Sequence, residues 1–114
     1  MIIGIPIYEK VDLLDVCAAR EIFYSMATTE GVTTQYDIWL LGPTCDSVHS
    51  RDGLTLTPQK TFDDVPELDM IWVPGGDVSG LKVAMNDPCL LDYIVSATKN
   101  AKWITSVCEG AMIL

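Results

Sequence analysis

Histidine is nearly absent from this chain: there is one, His49, among 114 residues. A metal centre built from several histidines is therefore excluded. Basic residues are also few, and Asp and Glu outnumber Lys and Arg by 16 to 7, for a formal charge of −9. Nucleic-acid binding needs clustered cations to neutralise phosphates, so this balance argues against it and predicts mild repulsion of anionic substrates. No apolar run is long enough to span a bilayer, and the first residues read as a strand rather than a signal peptide. Cys17, Cys45, Cys89 and Cys108 form no C-x-x-C pair. Neither a disulfide framework nor a zinc site fits that spacing, which points to reduced thiols in a cytoplasmic protein. No repeat, low-complexity tract or linker divides the chain, and its length suits one domain with a modest core.

What is present alternates between strands and helices. Met1 to Tyr8 is almost continuously apolar, as a strand buried on both faces should be, with Pro6 placed near its end where pairing stops. Asp12 caps a helix from Leu13 to Ala27, whose apolar face is expected from Leu13, Val16, Ala19, Ile22, Phe23 and Met26. Tyr36 to Leu41 is a second strand, closed by Gly42-Pro43. Val48 to Thr57 reads as a β-hairpin with Asp52-Gly53 as a two-residue turn. Asp63 to Glu67 is a polar connector. Met70 to Val73 is another buried strand, broken by Pro74-Gly75-Gly76. Helices are expected around Ser79 to Met85 and Pro88 to Lys99, then a last strand from Trp103 to Val107. This order predicts an α/β fold: a flavodoxin-like open parallel sheet with helices on both faces, a three-layer αβα sandwich with a small β-hairpin insertion.

Chemistry concentrates at the end of the chain. In Ser106-Val107-Cys108-Glu109-Gly110-Ala111 an apolar strand turns sharply into a helix with the thiol at the apex. This is the cysteine counterpart of the nucleophile elbow. A helix N-terminus favours thiolate over thiol, so Cys108 is the candidate nucleophile. Cys17, Cys45 and Cys89 read instead as small buried hydrophobes. Two other groups fall at strand ends. Asp15 lies inside an apolar helix face, either as a solvated carboxylate or, pointing back toward the strand ends, as a proton carrier for the thiol. Gly75 and Gly76 are either a plain turn or a place where backbone N–H groups approach a substrate atom that gains negative charge, with the N–H of Glu109 completing the hole. Arg20 and Glu21 read as surface charges. His49, on the hairpin, is expected far from the strand ends, and none of these three is assigned a role.

The glycine turn Pro74-Gly75-Gly76 and the run Ile104 to Ala111 together resemble the DJ-1/PfpI superfamily. Leu14-Asp15-Val16-Cys17-Ala18-Ala19-Arg20-Glu21-Ile22-Phe23 resembles the L-D-x-x-G-P-x-E-V-F pattern of the branch that holds isonitrile hydratases and the amidotransferase-like domains of AraC-type regulators. Tyr8 stands where that branch often has an aromatic. The resemblance implies Cys108 as nucleophile, Asp15 as its acidic partner, and the backbone N–H groups of Gly75, Gly76 and Glu109 as donors around the reacting atom. It implies addition of water to an isonitrile through a Cys108 thioimidate, with no metal or organic cofactor, a small-molecule substrate and a homodimer. Two alternatives share the motifs: a ligand-sensing domain of an AraC-type regulator, and a DJ-1-like glyoxalase or redox-sensing thiol protein. Departures are Ala18-Ala19 for Gly-Pro, Glu109 where hydratases tend to have Thr, and no His after the cysteine, which argues against peptidase activity. Residues 1–114 correspond to about the N-terminal half of such a domain. The expectation is that a further segment or a second chain completes it.

Overall fold

A computed structural model describes residues 1–114. Five strands form a parallel sheet in the order β5-β2-β1-β6-β7, comprising β1 (Ile2–Pro6), β2 (Asp37–Gly42), β5 (Lys60–Thr61), β6 (Met70–Val73) and β7 (Trp103–Ser106). The hairpin of β3 (Val48–His49) and β4 (Thr55–Leu56) stands apart as an antiparallel pair. The helices are α1 (Leu13–Ala27), α2 (Val78–Ala84) and α3 (Pro88–Ala97), and a 3₁₀ turn spans Cys108–Met112. The architecture is the flavodoxin-like α/β fold that the strand–helix alternation implies.

Side-chain alternation along the strands builds two cores, one on each face. Ile71 and Val73 of β6 and Leu41 of β2 pack with Leu81, Leu90 and Ile94 of α2 and α3. Ile5 and Ile7 pack with Val16 and Ala19 of α1, while Ile38, Leu40 and Trp72 lean on the same cluster. Gly4 faces the first core. A side chain there would lie within 2.8 Å of the methyl ends of Leu41 and Leu68. β1 ends at Pro6; Ile7 still donates to Leu41 of β2, but the register with β6 ends at Gly4, so no rung on that side needs a Pro6 N–H.

All three α-helices are entered through aspartate caps, Asp12, Asp77 and Asp87, each accepting from the N–H two residues on. The buried stripe of α1 is narrower than its sequence suggests: Asp15, Val16 and Ala19 are buried, whereas Ile22 is 66% exposed and Met26 40%. Phe23 meets Trp72 edge-on at 5.7 Å, and Arg20 donates to the Ile38 carbonyl at 2.8 Å. These contacts rotate α1 so that Ile22 points outward. Arg20 therefore clamps α1 to β2 rather than standing free at the surface.

The hairpin corrects two expectations. Its turn is not two residues long: Ser50 donates to Leu54 and Gly53 donates to Ser50, enclosing Arg51 to Gly53, with Gly53 at φ +91°. That is a three-residue loop with glycine in the left-handed position. Nor is His49 remote from the strand ends. Its carbonyl accepts the Lys10 N–H at 2.7 Å, and its ring and N–H both meet the Glu9 carboxylate at 3.0 Å. Val11 pairs with Ser50, which draws the hairpin onto the loop after β1. No helix is long and apolar enough to cross a membrane.

The sheet centre should dominate stability. Ile71→Ala, at a fully buried position of β6, is expected to cost about 2–5 kcal/mol in urea unfolding. Val95→Ala, at a position 67% exposed on α3, should stay within about 0.5 kcal/mol.

Candidate active site

Three loops converge at the carboxyl edge of the sheet. The segment after β1 and the turn after β6 zip together: Asp12 donates to the Gly75 carbonyl at 2.8 Å, and Asp77 donates to the Lys10 carbonyl at 2.9 Å, on either side of a Val11–Gly76 bridge. Glycine is needed at 76, because a Cβ there would lie 2.8 Å from the Lys10 carbonyl oxygen and 3.0 Å from the Tyr8 ring. This zipper fixes where α1 begins. Trp72 adds a second tie, its indole N–H reaching the Asp15 carbonyl at 3.1 Å.

The third loop is the elbow. Val107 donates to Val73 as the last rung between β7 and β6, and Cys108 then takes φ +48°. A non-glycine residue in the left-handed region is a strained position held by its surroundings, as expected at a nucleophile elbow. Gly110 makes the turn possible, since a Cβ there would sit 2.1 Å from the Val73 carbonyl oxygen. Cys108–Met112 forms five residues of 3₁₀ helix, closed by bonds such as Gly110 to Val107 and Ile113 to Gly110. The sequence suggests an α-helix here, but the close backbone packing of Gly110 on β6 accompanies tighter i→i+3 turns.

These loops bring Cys108, Asp15, Gly75 and Glu109 together. The Cys108 thiol lies 3.7 Å from Asp15 Oδ1, and Asp15 Oδ2 accepts the Gly75 N–H at 3.0 Å. Asp15 is buried, at 9% exposure. Of the two placements considered for this residue, the carboxylate aimed back at the strand ends is the one observed. Gly75 has a different use from the one expected, for its N–H is already spent on Asp15. Gly76 makes no backbone hydrogen bond through its N–H, and Glu109 is the second residue of a 3₁₀ segment whose first N–H groups lack partners within it. The Glu109 side chain also belongs to the site: a Cβ on Gly75 would lie 2.8 Å from Glu109 Oε2, 3.0 Å from Cys108 Cβ and 3.1 Å from Asp15 Oδ2.

Tyr8 joins the site although no local sequence signal assigns it a role there. Its hydroxyl donates to the Pro74 carbonyl at 2.8 Å. Burial, and then the charges of Asp15, Glu109 and Asp12, hold the phenol far above its usual range, so it remains a neutral donor. Beyond it lies a cavity of about 480 Å³, lined by Ile7, Val48, Phe62 and Val83 among others. Neither Cys108 nor Asp15 borders that cavity. The remaining thiols differ from expectation: Cys17, Cys45 and Cys89 are exposed rather than buried in the core. Cys17 lies on the outer side of α1, Cys45 in the loop after β2, and Cys89 in the first turn of α3.

Electrostatics at Cys108 run against the helix-terminus argument. The Asp15 carboxylate first, then lost hydration, the hydrogen bond to Asp15, and the charges of Glu109 and Asp12 push the thiol above its ordinary value. A full charge close to sulfur outweighs the roughly half charge of a helix end, and one short 3₁₀ turn supplies less than that.

The DJ-1/PfpI family profile matches residues 4–114. The chain belongs to the DJ-1/PfpI family. It is 34% identical over 112 residues to isonitrile hydratase from Pseudomonas putida, an alignment covering 98% of this chain and 45% of that protein. Its fold is similar to the crystal structure of a THiJ/PfpI family protein from Pseudomonas syringae, with a TM-score of 0.87 and 28% identity over 99% of this chain and 44% of that one. It also resembles DJ-1beta from Drosophila melanogaster, with a TM-score of 0.80, where 13% identity over 99% of this chain and 57% of that one supports the fold alone. The chain thus spans less than half the length of the hydratase.

The charge pattern gives a direct test. The rate of Cys108 alkylation by a neutral reagent should rise with pH through a midpoint above that of a free cysteine. In Asp15→Asn the midpoint should fall, and in Glu109→Gln it should fall by less. A midpoint unmoved in Asp15→Asn would show that the carboxylate does not control the thiol.

Proposed function

We propose that this chain carries the nucleophile half of an isonitrile hydratase-like active site. The observation that carries the reading is the contact between Cys108 Sγ and Asp15 Oδ1 at 3.7 Å, with the other Asp15 oxygen anchored on Gly75. Similarity to the hydratase from Pseudomonas putida supports the choice of reaction.

In this mechanism Asp15 takes the thiol proton as sulfur attacks the terminal isonitrile carbon, and returns it to that carbon. The product is a thioimidate, with the new S–C and C–H bonds both made to the former isonitrile carbon and no group expelled. Water then adds across the C=N bond, its oxygen to the thioimidate carbon and one proton to the nitrogen. The tetrahedral intermediate collapses by breaking the S–C bond, releasing an N-substituted formamide and the Cys108 thiol. Asp15 relays one proton of the attacking water to the imine nitrogen, and then carries the proton of the new hydroxyl to the departing sulfur. The N–H groups of Gly76 and Glu109 stabilise negative charge developing next to the carbon. The residues required are all side chains and amides, and no cofactor enters the scheme.

The same reading takes residues 1–114 as the N-terminal part of a domain completed by a further segment or a second chain, active as a homodimer. In support, β7 is an outer strand whose Trp103 is 58% exposed and Ile104 54%.

The test is formamide production from a simple alkyl isonitrile by the full-length polypeptide. Cys108→Ala should abolish turnover, and Asp15→Asn should lower kcat by about 100-fold or more. Turnover that survives Cys108→Ala would remove the thioimidate. Absence of turnover in the unmutated protein would leave the sensor and glyoxalase readings.

A further inference from the structure

We infer that Glu109 is a specificity-determining residue that makes the approach to Cys108 selective for electrophiles bearing a positive charge and hostile to those bearing a carboxylate, sulfonate or phosphate. The inference uses the Cys108 nucleophile of the proposed function but does not depend on the isonitrile as the electrophile.

Three side-chain groups point at one spot beside Gly75: the Glu109 carboxylate, the Asp15 carboxylate and the Cys108 methylene. The missing side chain of Gly75 is what lets both acids stand there. Charge balance at this spot is one-sided. The chain has two ion pairs, Arg51 with Asp12 at 3.7 Å and His49 with Glu9 at 3.0 Å. Within residues 1–114 neither Asp15 nor Glu109 has a cationic partner. The two acids differ in their engagement. Asp15 is buried and bonded to Gly75, facing the thiol, whereas Glu109 is exposed and makes no side-chain hydrogen bond with the rest of the chain. Asp15 is thus committed to the proton of Cys108, and Glu109 is the acid free to meet an incoming substituent. An incoming cation would find an uncompensated carboxylate within reach of the reacting sulfur, and an anion would find the same group as a barrier.

Coulomb's law sets the magnitude. A unit charge roughly 6 Å away in water changes a local concentration by about three-fold, with opposite sign for cation and anion, so one carboxylate changes their ratio by about ten-fold. Salt reduces this.

The experiment compares modification of Cys108 by two methanethiosulfonates that differ in charge, one carrying a trimethylammonium group and one a sulfonate. In each case the thiolate attacks the sulfenyl sulfur, a disulfide forms, and methanesulfinate leaves with the electron pair of the broken S–S bond. Rates are measured on the full-length polypeptide with Cys17→Ser, Cys45→Ser and Cys89→Ser, because those thiols are exposed too, and are normalised to a small free thiol. If that background does not fold, peptide mapping of the otherwise unmutated protein yields the same ratio at Cys108. The readout is the ratio of the two rates, which a change in thiolate fraction or a general loss of reactivity leaves unmoved. The expected cation-to-anion preference is about ten-fold or more at low salt, falling about three- to ten-fold in Glu109→Gln and shrinking in about 0.5 M salt. A preference below about three-fold, or a fall of less than about two-fold in Glu109→Gln, overturns the inference.

Discussion

The Asp15 carboxylate is held at both ends. One oxygen takes the Gly75 N–H and the other faces the Cys108 sulfur. For that to happen, the start of α1, the end of β6 and the elbow after β7 must arrive at one point from three separate parts of the chain. Much of the local architecture serves that convergence. The loop after β1 zips against the glycine turn, Trp72 pins the first turn of α1 to the sheet, and Gly110 lets the elbow lie directly on the end of β6. Misplacing any of these would separate the acid from the thiol without touching either residue.

The same contact decides how the thiol can react. A cysteine stored as a thiolate gains nucleophilicity but has no proton to give. Here the surrounding carboxylates favour the protonated form, and a proton acceptor lies in contact with it. In the proposed hydration this fits the chemistry, because the isonitrile carbon must gain a hydrogen as well as a sulfur. A thiol and carboxylate that pass one proton between them can supply both in one encounter, with no charge delivered from bulk water.

The strands of the sheet were largely legible in the sequence because buried parallel strands are short apolar runs between turn residues, as in Met70 to Val73 ahead of Pro74-Gly75-Gly76. The helix cap at Asp12 was legible too, as an aspartate standing just ahead of a helical apolar pattern. β5 was not, since Lys60–Thr61 is too short to show a period and owes its place to pairing with Leu41 and Gly42. The elbow carried its own signature, so Cys108 stood out. Tyr8, by contrast, looked like one more apolar strand residue, and only the fold reveals that its hydroxyl reaches across to Pro74. Nor could Gly75 disclose that its N–H is used to hold Asp15, because the two are sixty residues apart. Long-range pairings set by the sheet order leave no local pattern.

Rapid-quench mass spectrometry of the full-length polypeptide during turnover of an alkyl isonitrile would test the central claim most directly. The account predicts a transient species heavier by one whole isonitrile molecule, since addition expels nothing, located on the peptide containing Cys108. Formamide release with no such species, or an adduct confined to Cys17, Cys45 or Cys89, would contradict it.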